Sequence, residues 1–180
     1  ILVGVTYPRV IEAESNMATL NHNVDQISFI FSQPLDVTTV NSENIILGSR
    51  THDNLEYDIL YIDSTNSITI DFINNLTALD TISIELKDGL TNIFGYALDG
   101  DSDDSEGGNF VVEYLIPMLA DYDYDFNITL DDLSQFIIEW ESNDYNLELG
   151  PFVGEIPHVY VEPDGDYNYH DMGAFALMWN

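Results

Sequence analysis

The first two thirds of the chain alternate between apolar and polar positions in short runs. Residues 26–32, Gln-Ile-Ser-Phe-Ile-Phe-Ser, give the clearest example. A period of two places successive side chains on opposite faces of a strand, so this run predicts a β-strand with one buried face. Further strands are predicted by the same pattern at residues 43–47, 55–62, 67–72, 80–86 and 109–114.

Turn-forming residues separate these runs at intervals of about eight to twelve residues. No long amphipathic helix interrupts them. This spacing is typical of a β-sandwich, in which two antiparallel sheets pack face to face. We therefore predict an N-terminal β-sandwich domain over residues 1–116.

Beyond residue 120 the apolar residues recur every three or four positions, which predicts two helices with one apolar face each. The face of the first helix, which should end near residue 143, consists of Leu130, Leu133, Phe136, Ile137 and Trp140. The facing stripe of the second helix consists of Met172, Phe175, Met178 and Trp179. The segment Leu149–Pro157 is broken by Pro and Gly and is predicted to be a loop. The joint at residues 115–120 is short and apolar, so we expect the two parts to pack together.

Two segments of the first part carry a resemblance to a known family. One runs Phe31-Ser-Gln-Pro-Leu-Asp36 and continues through Thr38–Leu47, and the other is Leu76–Leu98. The first resembles the bacterial immunoglobulin-like (Ig-like) domains of surface-layer and secreted proteins, and the second resembles the late hairpin of that family. The resemblance covers about residues 25–115 and implies an architectural spacer rather than an active site.

A dense run of acids precedes the first predicted helix. Residues 121–132 read Asp-Tyr-Asp-Tyr-Asp-Phe-Asn-Ile-Thr-Leu-Asp-Asp, with five carboxylates in twelve residues. Such crowding disfavours ionisation unless a cation lies among the charges. The spacing is typical of a Ca²⁺ loop, which takes oxygen ligands from positions 1, 3, 5, 7, 9 and 12. The predicted ligands are Asp121, Asp123, Asp125, Asn127, Thr129 and Asp132.

Two positions of this loop differ from the usual calcium loop. Position 6 is Phe126, where Gly normally allows a turn at positive φ, so we expect a strained or shifted turn. Position 12 is Asp132 in place of Glu. The alternative interpretation is a solvated acidic turn at a helix N-terminus, where Asp is favourable without any ion.

The same pattern returns in weaker form before the second helix. With Asp171 at position 12, the turn residue at position 6 is Gly165, but position 1 is Tyr160, which offers no carboxylate. The predicted ligands are Glu162, Asp164, Asp166, Asn168 and Asp171. The alternative is a degenerate loop that is held by hydrogen bonds alone.

Two calcium loops that each lead directly into a helix, and begin roughly forty residues apart, resemble a dockerin module, whose loops also accept Asp at position 12. The resemblance covers about residues 119–180 and implies a C-terminal dockerin-like domain over residues 117–180. In that family, loop positions 10 and 11 contact a cohesin partner. The resemblance therefore implies four partner-binding residues, Leu130, Asp131, Tyr169 and His170.

A second acidic stretch, residues 99–108, lies between the two parts and also contains five carboxylates. One interpretation is a solvated acidic loop, as charge runs usually are. The other is a further calcium site formed by Asp99, Asp101, Asp103 and Glu106. No helix and no apolar position 8 follow in support of the second interpretation.

The charge of the chain limits its partners. Its 33 acidic and three basic residues give a formal net charge of −30. Nucleic acid and anionic membrane surfaces would be repelled, whereas divalent cations would be attracted. No apolar run is long enough to span a membrane. Because calcium outside cells would neutralise part of this charge, we expect a protein that is extracellular or on the cell surface. The resemblances described above imply a bacterial protein.

Catalytic motifs are missing from the sequence. The four histidines have no zinc-binding spacing, and neither a nucleophile elbow nor a Gly-rich phosphate loop is present. Cysteine is absent, which excludes thiol chemistry. The chain starts at Ile1 without Met and stops inside a helical pattern, so we also expect a piece of a longer protein.

Three non-enzymatic functions stay open. The first is docking of a parent protein to a cohesin-like partner or to the cell surface. The second is a structural spacer that calcium rigidifies, and the third is polysaccharide binding by the Ig-like part. An exposed patch around Leu130, Tyr169 and His170 would favour docking, because monomers rarely leave such patches open. Burial of these residues against the sandwich would favour the spacer.

Overall fold

The computed structural model describes residues 6–51, 55–143 and 145–179, with the backbone alone at residue 146. Two four-stranded sheets pack face to face, with the strand orders β1-β3-β6-β5 and β2-β8-β7-β4. Neighbouring strands are antiparallel except β2 and β8, which are parallel. The strands are β1 (Val10–Glu12), β2 (Ala18–Thr19), β3 (Gln26–Phe31), β4 (Ile45–Ser49), β5 (Tyr57–Ile62), β6 (Ser67–Phe72), β7 (Asp80–Leu86) and β8 (Phe110–Ile116).

The core of the sandwich consists of the inward-facing positions of these strands. Strand β7 shows the pattern best, because its alternate residues Ile82, Ile84 and Leu86 are fully buried. Phe29 of β3 and Ile70 of β6 meet them from the opposite sheet in the same cluster. Burial of each such side chain contributes about 1.5–3 kcal/mol. The prediction of a mainly-β sandwich is confirmed.

Two helices and a hairpin follow the sandwich. Helix α1 spans Leu130–Ser142 and α2 spans Tyr169–Met178, while β9 (Phe152–Glu155) pairs with β10 (His158–Val161). The hairpin corrects the prediction of a loop over residues 149–157. Gly154, which has a φ of 114°, and Pro157 are residue types that disfavour strands. The sequence pattern therefore did not predict these two strands, which have only four residues each. Within the described part of the chain, no helix is long and apolar enough to cross a membrane.

The helices pack on each other around a second apolar core. Phe136 of α1 stacks on Phe175 of α2, with ring centroids 5.1 Å apart, and Trp140 lies 5.6 Å from Tyr167. The predicted apolar faces were too wide. The exposed members are Leu130, Ile137, Met172 and Trp179. The buried stripe of each helix is therefore narrower than the apolar face that the 3.6-residue period predicted.

The second core includes one residue of the sandwich. Ala78, which precedes β7, is fully buried among the C-terminal side chains. Its backbone N–H donates to the carbonyl of Val159 at 2.7 Å, and the side-chain amide of Asn75 donates to the carbonyl of Val161 at 3.0 Å. One backbone and one side-chain hydrogen bond therefore join the hairpin to the sandwich.

Candidate metal centre

Three carboxylates of the first loop converge on one point. Oxygens of Asp121, Asp123 and Asp132 all lie within 4.8 Å of one another. Asp121 and Asp132 are buried, whereas Asp123 is exposed. Converging hard oxygen donors are the chemistry that Ca²⁺ requires, so the donor set fits this ion.

Backbone amides aim these carboxylates inward. Asp121 accepts hydrogen bonds from the N–H groups of Phe126 at 2.9 Å and Asp125 at 3.2 Å. Asp132 accepts from Thr129 at 2.7 Å and Tyr122 at 2.8 Å, which ties the two ends of the loop together. The second bond closes the loop because it joins its last position to its second.

Asp132 also fixes the start of α1. Thr129 is the N-cap of this helix, and its hydroxyl accepts the N–H of Asp131 at 3.1 Å. The Asp132 carboxylate accepts the N–H of the cap in return, which completes a capping box. One carboxylate therefore belongs both to the candidate metal centre and to the helix cap.

The turn of the first loop has the strain that the sequence predicted. Phe126 at position 6 has a φ of 66°, and Tyr124 at position 4 has a φ of 61°. A residue with a Cβ costs roughly 1–3 kcal/mol in this left-handed region. This backbone conformation points the N–H groups of Asp125 and Phe126, at positions 5 and 6, toward Asp121.

The other predicted ligands of the first loop bond mainly to nearby backbone. Asp125 lies outside the group of three converging acids, and its Oδ1 accepts the N–H of Asn127 at 2.7 Å. The Asn127 amide donates to the carbonyl of Asp125 at 3.1 Å. The hydroxyl of Thr129 lies 3.3 Å from the Asp132 carboxylate. All three residues thus line the loop, and their role as ligands stays a prediction.

The electrostatics of the loop disfavour a fully ionised cluster. The pKa of Asp121 is raised to about 6, mainly by burial and in smaller part by the nearby charges of Asp132 and Asp123. The amides of Phe126 and Asp125 act in the opposite direction, because they stabilise the ionised form. A divalent cation would favour the ionised form more strongly than these amides do.

In the second loop, the predicted acid at position 12 is well placed. Asp171 is fully buried, and its Oδ1 accepts from the N–H groups of Leu149 at 2.9 Å and Gly150 at 3.1 Å. Its Oδ2 accepts the N–H of Asn168 at 2.8 Å, within the capping box of α2. Asp171 thus accepts hydrogen bonds from the start of its loop and also caps its helix, as Asp132 does in the first loop.

Glu148 completes the second loop, and the sequence prediction missed it. This buried carboxylate accepts from the N–H groups of Asp164 at 3.0 Å and Gly165 at 3.1 Å, which are positions 5 and 6. In the first loop, Asp121 accepts hydrogen bonds from the N–H groups at the same two positions. The predicted position 1, Tyr160, instead lies in β10 opposite Val153.

The second loop is therefore discontinuous. Its first two positions are Glu148 and Leu149, and the β9–β10 hairpin lies between them and the remaining positions. A fixed window of twelve residues cannot find an acid that the fold brings in from upstream. The available signal was indirect, namely a loop with a turn glycine, a cap and a position-12 acid but no acid at position 1.

The remaining acids of the second loop are exposed, namely Glu162, Asp164 and Asp166. Burial raises the pKa of Glu148, and the neighbouring Asp164 carboxyl raises it further. Over the described residues, three acids of this loop do not converge as tightly as those of the first loop. The second loop thus has a weaker set of oxygen donors.

The four residues implied as partner contacts lie in the first turn of each helix. Leu130 and Tyr169 are 69 % and 76 % exposed. Asp131 is also exposed, and the half-buried His170 lies with its ring centroid 4.0 Å from that of Tyr169. None of them is buried against the sandwich.

The acidic stretch between the two parts also brings three carboxylates together. Oxygens of Asp99, Asp101 and Asp103 lie within 4.8 Å of one another. Glu106, the fourth predicted member, instead accepts the N–H of Ala97 at 3.4 Å.

Comparisons with solved structures find distant likenesses. Domains 1–6 of the surface layer protein SbsC match with a TM-score of 0.42 and 15 % identity, over 62 % of this chain and 14 % of that one. PcoC, a methionine-rich copper resistance protein from Escherichia coli, matches with a TM-score of 0.36 and 12 % identity, over 61 % of this chain and 98 % of that one. This chain thus spans about a seventh of the length of the surface layer structure.

Sequence comparisons identify the first part of the chain. No curated protein matches in sequence. The family model described as "Bacterial Ig-like domain" matches residues 4–110, which include strands β1 to β7. Since this match covers more than half of the 180 residues, the chain belongs to the bacterial Ig-like domain family.

Proposed function

We propose that this chain is a non-catalytic, calcium-binding module of an extracellular or cell-surface bacterial protein, and that its C-terminal part docks onto a protein partner of the cohesin type. The observation that carries the proposal is the convergence of Asp121, Asp123 and Asp132 at the start of α1. Calcium is the ion that suits three hard carboxylate donors in a flexible loop.

Calcium binding and docking are linked through the helix caps. Asp132 and Asp171 are candidate ligands, and each also caps the helix whose first residues are exposed. An ion that holds these carboxylates would fix the first turns of α1 and α2. Leu130 and Tyr169 would then be presented in a defined geometry, which lowers the entropic cost of binding a partner.

The chain's charge supports an extracellular setting. A formal net charge of −30 destabilises a compact state through self-repulsion, and bound calcium reduces it. Such calcium sites reach dissociation constants of about 10⁻⁴–10⁻³ M in extracellular modules, so they fill only where calcium is abundant. Membership of the bacterial Ig-like family agrees with an architectural role.

A spacer stiffened by calcium is the second candidate. It is favoured by the backbone hydrogen bond between Ala78 and Val159, which fixes the hairpin to the sandwich. A spacer needs rigid contacts between its parts but no exposed apolar residues at the helix starts. The exposure of Leu130 and Tyr169 therefore favours docking over the spacer.

A binding experiment separates the two candidates. The immobilised chain is incubated with the secreted and surface fraction of its source bacterium, in Ca²⁺ or in EDTA. We expect a partner to bind in Ca²⁺ alone, and to be lost from the Leu130→Ala/Tyr169→Ala variant. Leu60→Ala/Ile62→Ala removes two exposed apolar side chains from β5 and serves as the matched control. If the two variants retain the same amount of partner in Ca²⁺, the spacer is favoured.

A further inference from the structure

We propose that the Ig-like sandwich completes the second calcium loop. Its contacts with the inserted β9–β10 hairpin hold the two halves of that loop together. Calcium binding by this loop and attachment of the C-terminal part to the sandwich should therefore strengthen each other. The inference rests on the proposed calcium binding and goes beyond it, because it couples the ion to the contact between the two parts of the chain.

The hairpin separates two ligand positions of the second loop. Position 1 is Glu148, and position 3 is Glu162, which directly follows the last residue of β10. In the first loop the same two positions, Asp121 and Asp123, are only two residues apart. The N–H of Glu162 donates to the carbonyl of Pro151 at 2.8 Å, which closes the base of the hairpin. The geometry of the second loop therefore depends on what holds the hairpin in place.

The sandwich contacts the strand that leads into position 3. The side-chain amide of Asn75 donates to the carbonyl of Val161 at 3.0 Å. The backbone N–H of Ala78 donates to the carbonyl of Val159 at 2.7 Å. Both valines are buried in the same apolar core as Ala78. Polar and apolar contacts thus fix the end of β10, and with it the start of the second half of the loop.

The sandwich also contacts the loop at position 1. His22, a buried residue between β2 and β3, forms a hydrogen bond with the backbone of Glu148. The carbonyl of His22 in turn accepts the N–H of Leu76 at 2.7 Å, which lies between Asn75 and Ala78. One region of the sandwich therefore holds both halves of the second loop.

Such contacts should raise the affinity of the loop. Calcium affinity depends on the rigidity of the site, and ligands that are already held in place lose less entropy on binding. The coupling is reciprocal by thermodynamic necessity, so an ion that joins the two halves also holds the hairpin against the sandwich. The first loop is continuous, and its ligand positions follow one another without an inserted hairpin. We expect the coupling in the second loop.

Calorimetry of calcium binding to the full chain tests one direction of the coupling. Asn75→Ala removes the hydrogen bond to Val161 and should weaken binding by the second loop about two- to tenfold, the factor that one hydrogen bond contributes. The first loop should bind as in the parent chain. Asn74→Ala is the matched control, because this side-chain amide donates to Glu56 within the sandwich at 3.2 Å. It should leave both binding events unchanged.

Hydrogen exchange of the Ala78 N–H, followed by NMR, tests the other direction. This amide reports on the contact directly, because its acceptor is the carbonyl of Val159 in the hairpin. At a Ca²⁺ concentration that saturates the parent chain, Ala78 should exchange severalfold faster in Glu148→Gln, whereas the amides of β6 should exchange equally in both chains. In EDTA, Ala78 should exchange at the same rate in the two chains, because the ion is absent from both.

The outcomes distinguish this inference from the proposed function. If both loops bind calcium, the inference is overturned when Asn75→Ala leaves the second event unchanged, or when Ala78 exchanges in Glu148→Gln at the rate of the parent chain. Calcium binding by the first loop alone would also overturn this inference and leave the proposed function standing. If the chain binds no calcium at all, both are wrong.

Discussion

Glu148 occupies in the second loop the position that Asp121 occupies in the first. Both carboxylates are buried, and both accept the N–H groups of loop positions 5 and 6. The residue after each one donates its N–H to the position-12 acid, which is Asp132 or Asp171. The two loops therefore share one hydrogen-bond scheme, although a hairpin interrupts the second.

The first prediction follows from this correspondence. Glu148→Gln should weaken the ion of the second loop at least tenfold, because the amide has no charge but can still accept the same N–H groups. The ion of the first loop should bind as before. Calorimetry with Ca²⁺ measures both events. Glu155→Gln, an exposed acid of β9, is the control. If the second loop of Glu148→Gln binds calcium as tightly as that of the parent chain, this carboxylate only stabilises the loop.

The second prediction ranks the loops. Among the residues that the structure describes, three acids converge in the first loop but not in the second, and affinity rises with the number of charged ligands and the rigidity of the site. The first loop should bind calcium more tightly. Asp132→Asn and Asp171→Asn form a matched pair, because both residues are buried acids that cap a helix. Asp132→Asn should remove the tighter event in calorimetry; if Asp171→Asn removes it instead, the ranking is wrong.

The third prediction separates the core of the C-terminal part from its surface. Phe136→Ala should destabilise the protein by about 3–5 kcal/mol, because it leaves a cavity beside Phe175. Trp140→Ala should cost less, because Trp140 is only partly buried. Tyr169→Ala should change stability by less than about 0.5 kcal/mol, because its side chain is exposed. Urea unfolding in Ca²⁺ measures all three. A large loss in Tyr169→Ala would mean that this residue is structural.

The fourth prediction concerns pH. His22 is buried, and burial lowers its pKa to about 4, although a hydrogen bond to the backbone of Glu148 acts in the opposite direction. In the unfolded chain its pKa is about 6.5. The unfolded state therefore binds more protons between these values, and stability should fall as the pH drops from about 6.5 to 4. The loss from this group alone is about 2 kcal/mol at pH 5.

A histidine variant isolates this contribution from the many carboxylates. His22→Gln cannot gain a proton, so the free energy of unfolding should fall less between pH 7.5 and 5 than it does in the parent chain. The measurement is urea unfolding at both pH values in saturating Ca²⁺. His158→Gln, which replaces an exposed histidine, is the control. Parallel curves for all three chains would exclude His22 as the cause.

The strands of the sandwich could be predicted where alternation was strong. Residues 67–72 and 80–86 are β6 and β7 with the predicted bounds, because their apolar residues face a continuous core. Strands β1 and β2 were not predicted. With three and two residues they are too short to show a period, and they exist only because β3 and β8 supply their partners.

The candidate site could be predicted only where it is local in sequence. The first loop is continuous, so its spacing alone selected Asp121 and Asp132, whose carboxylates the structure brings together. Glu148 could not be found in this way, because the fold and not the spacing brings it to the second loop. The same holds for Arg9, which is far from Asp99 in the sequence but lies 3.1 Å from it in the fold. Non-local contacts leave no periodic signal in the sequence.

The measurement that tests the central proposal most directly is hydrogen exchange of the full chain, followed by mass spectrometry, in Ca²⁺ and in EDTA. Without calcium, the repulsion among Asp121, Asp123 and Asp132 should open the first loop and helix α1, which it caps, and should loosen α2, which packs on α1. We expect amide exchange to accelerate strongly over residues 121–179 in EDTA, and to change little in β3, β6 and β7. Identical exchange over residues 121–179 in the two conditions would contradict calcium binding by this part of the chain.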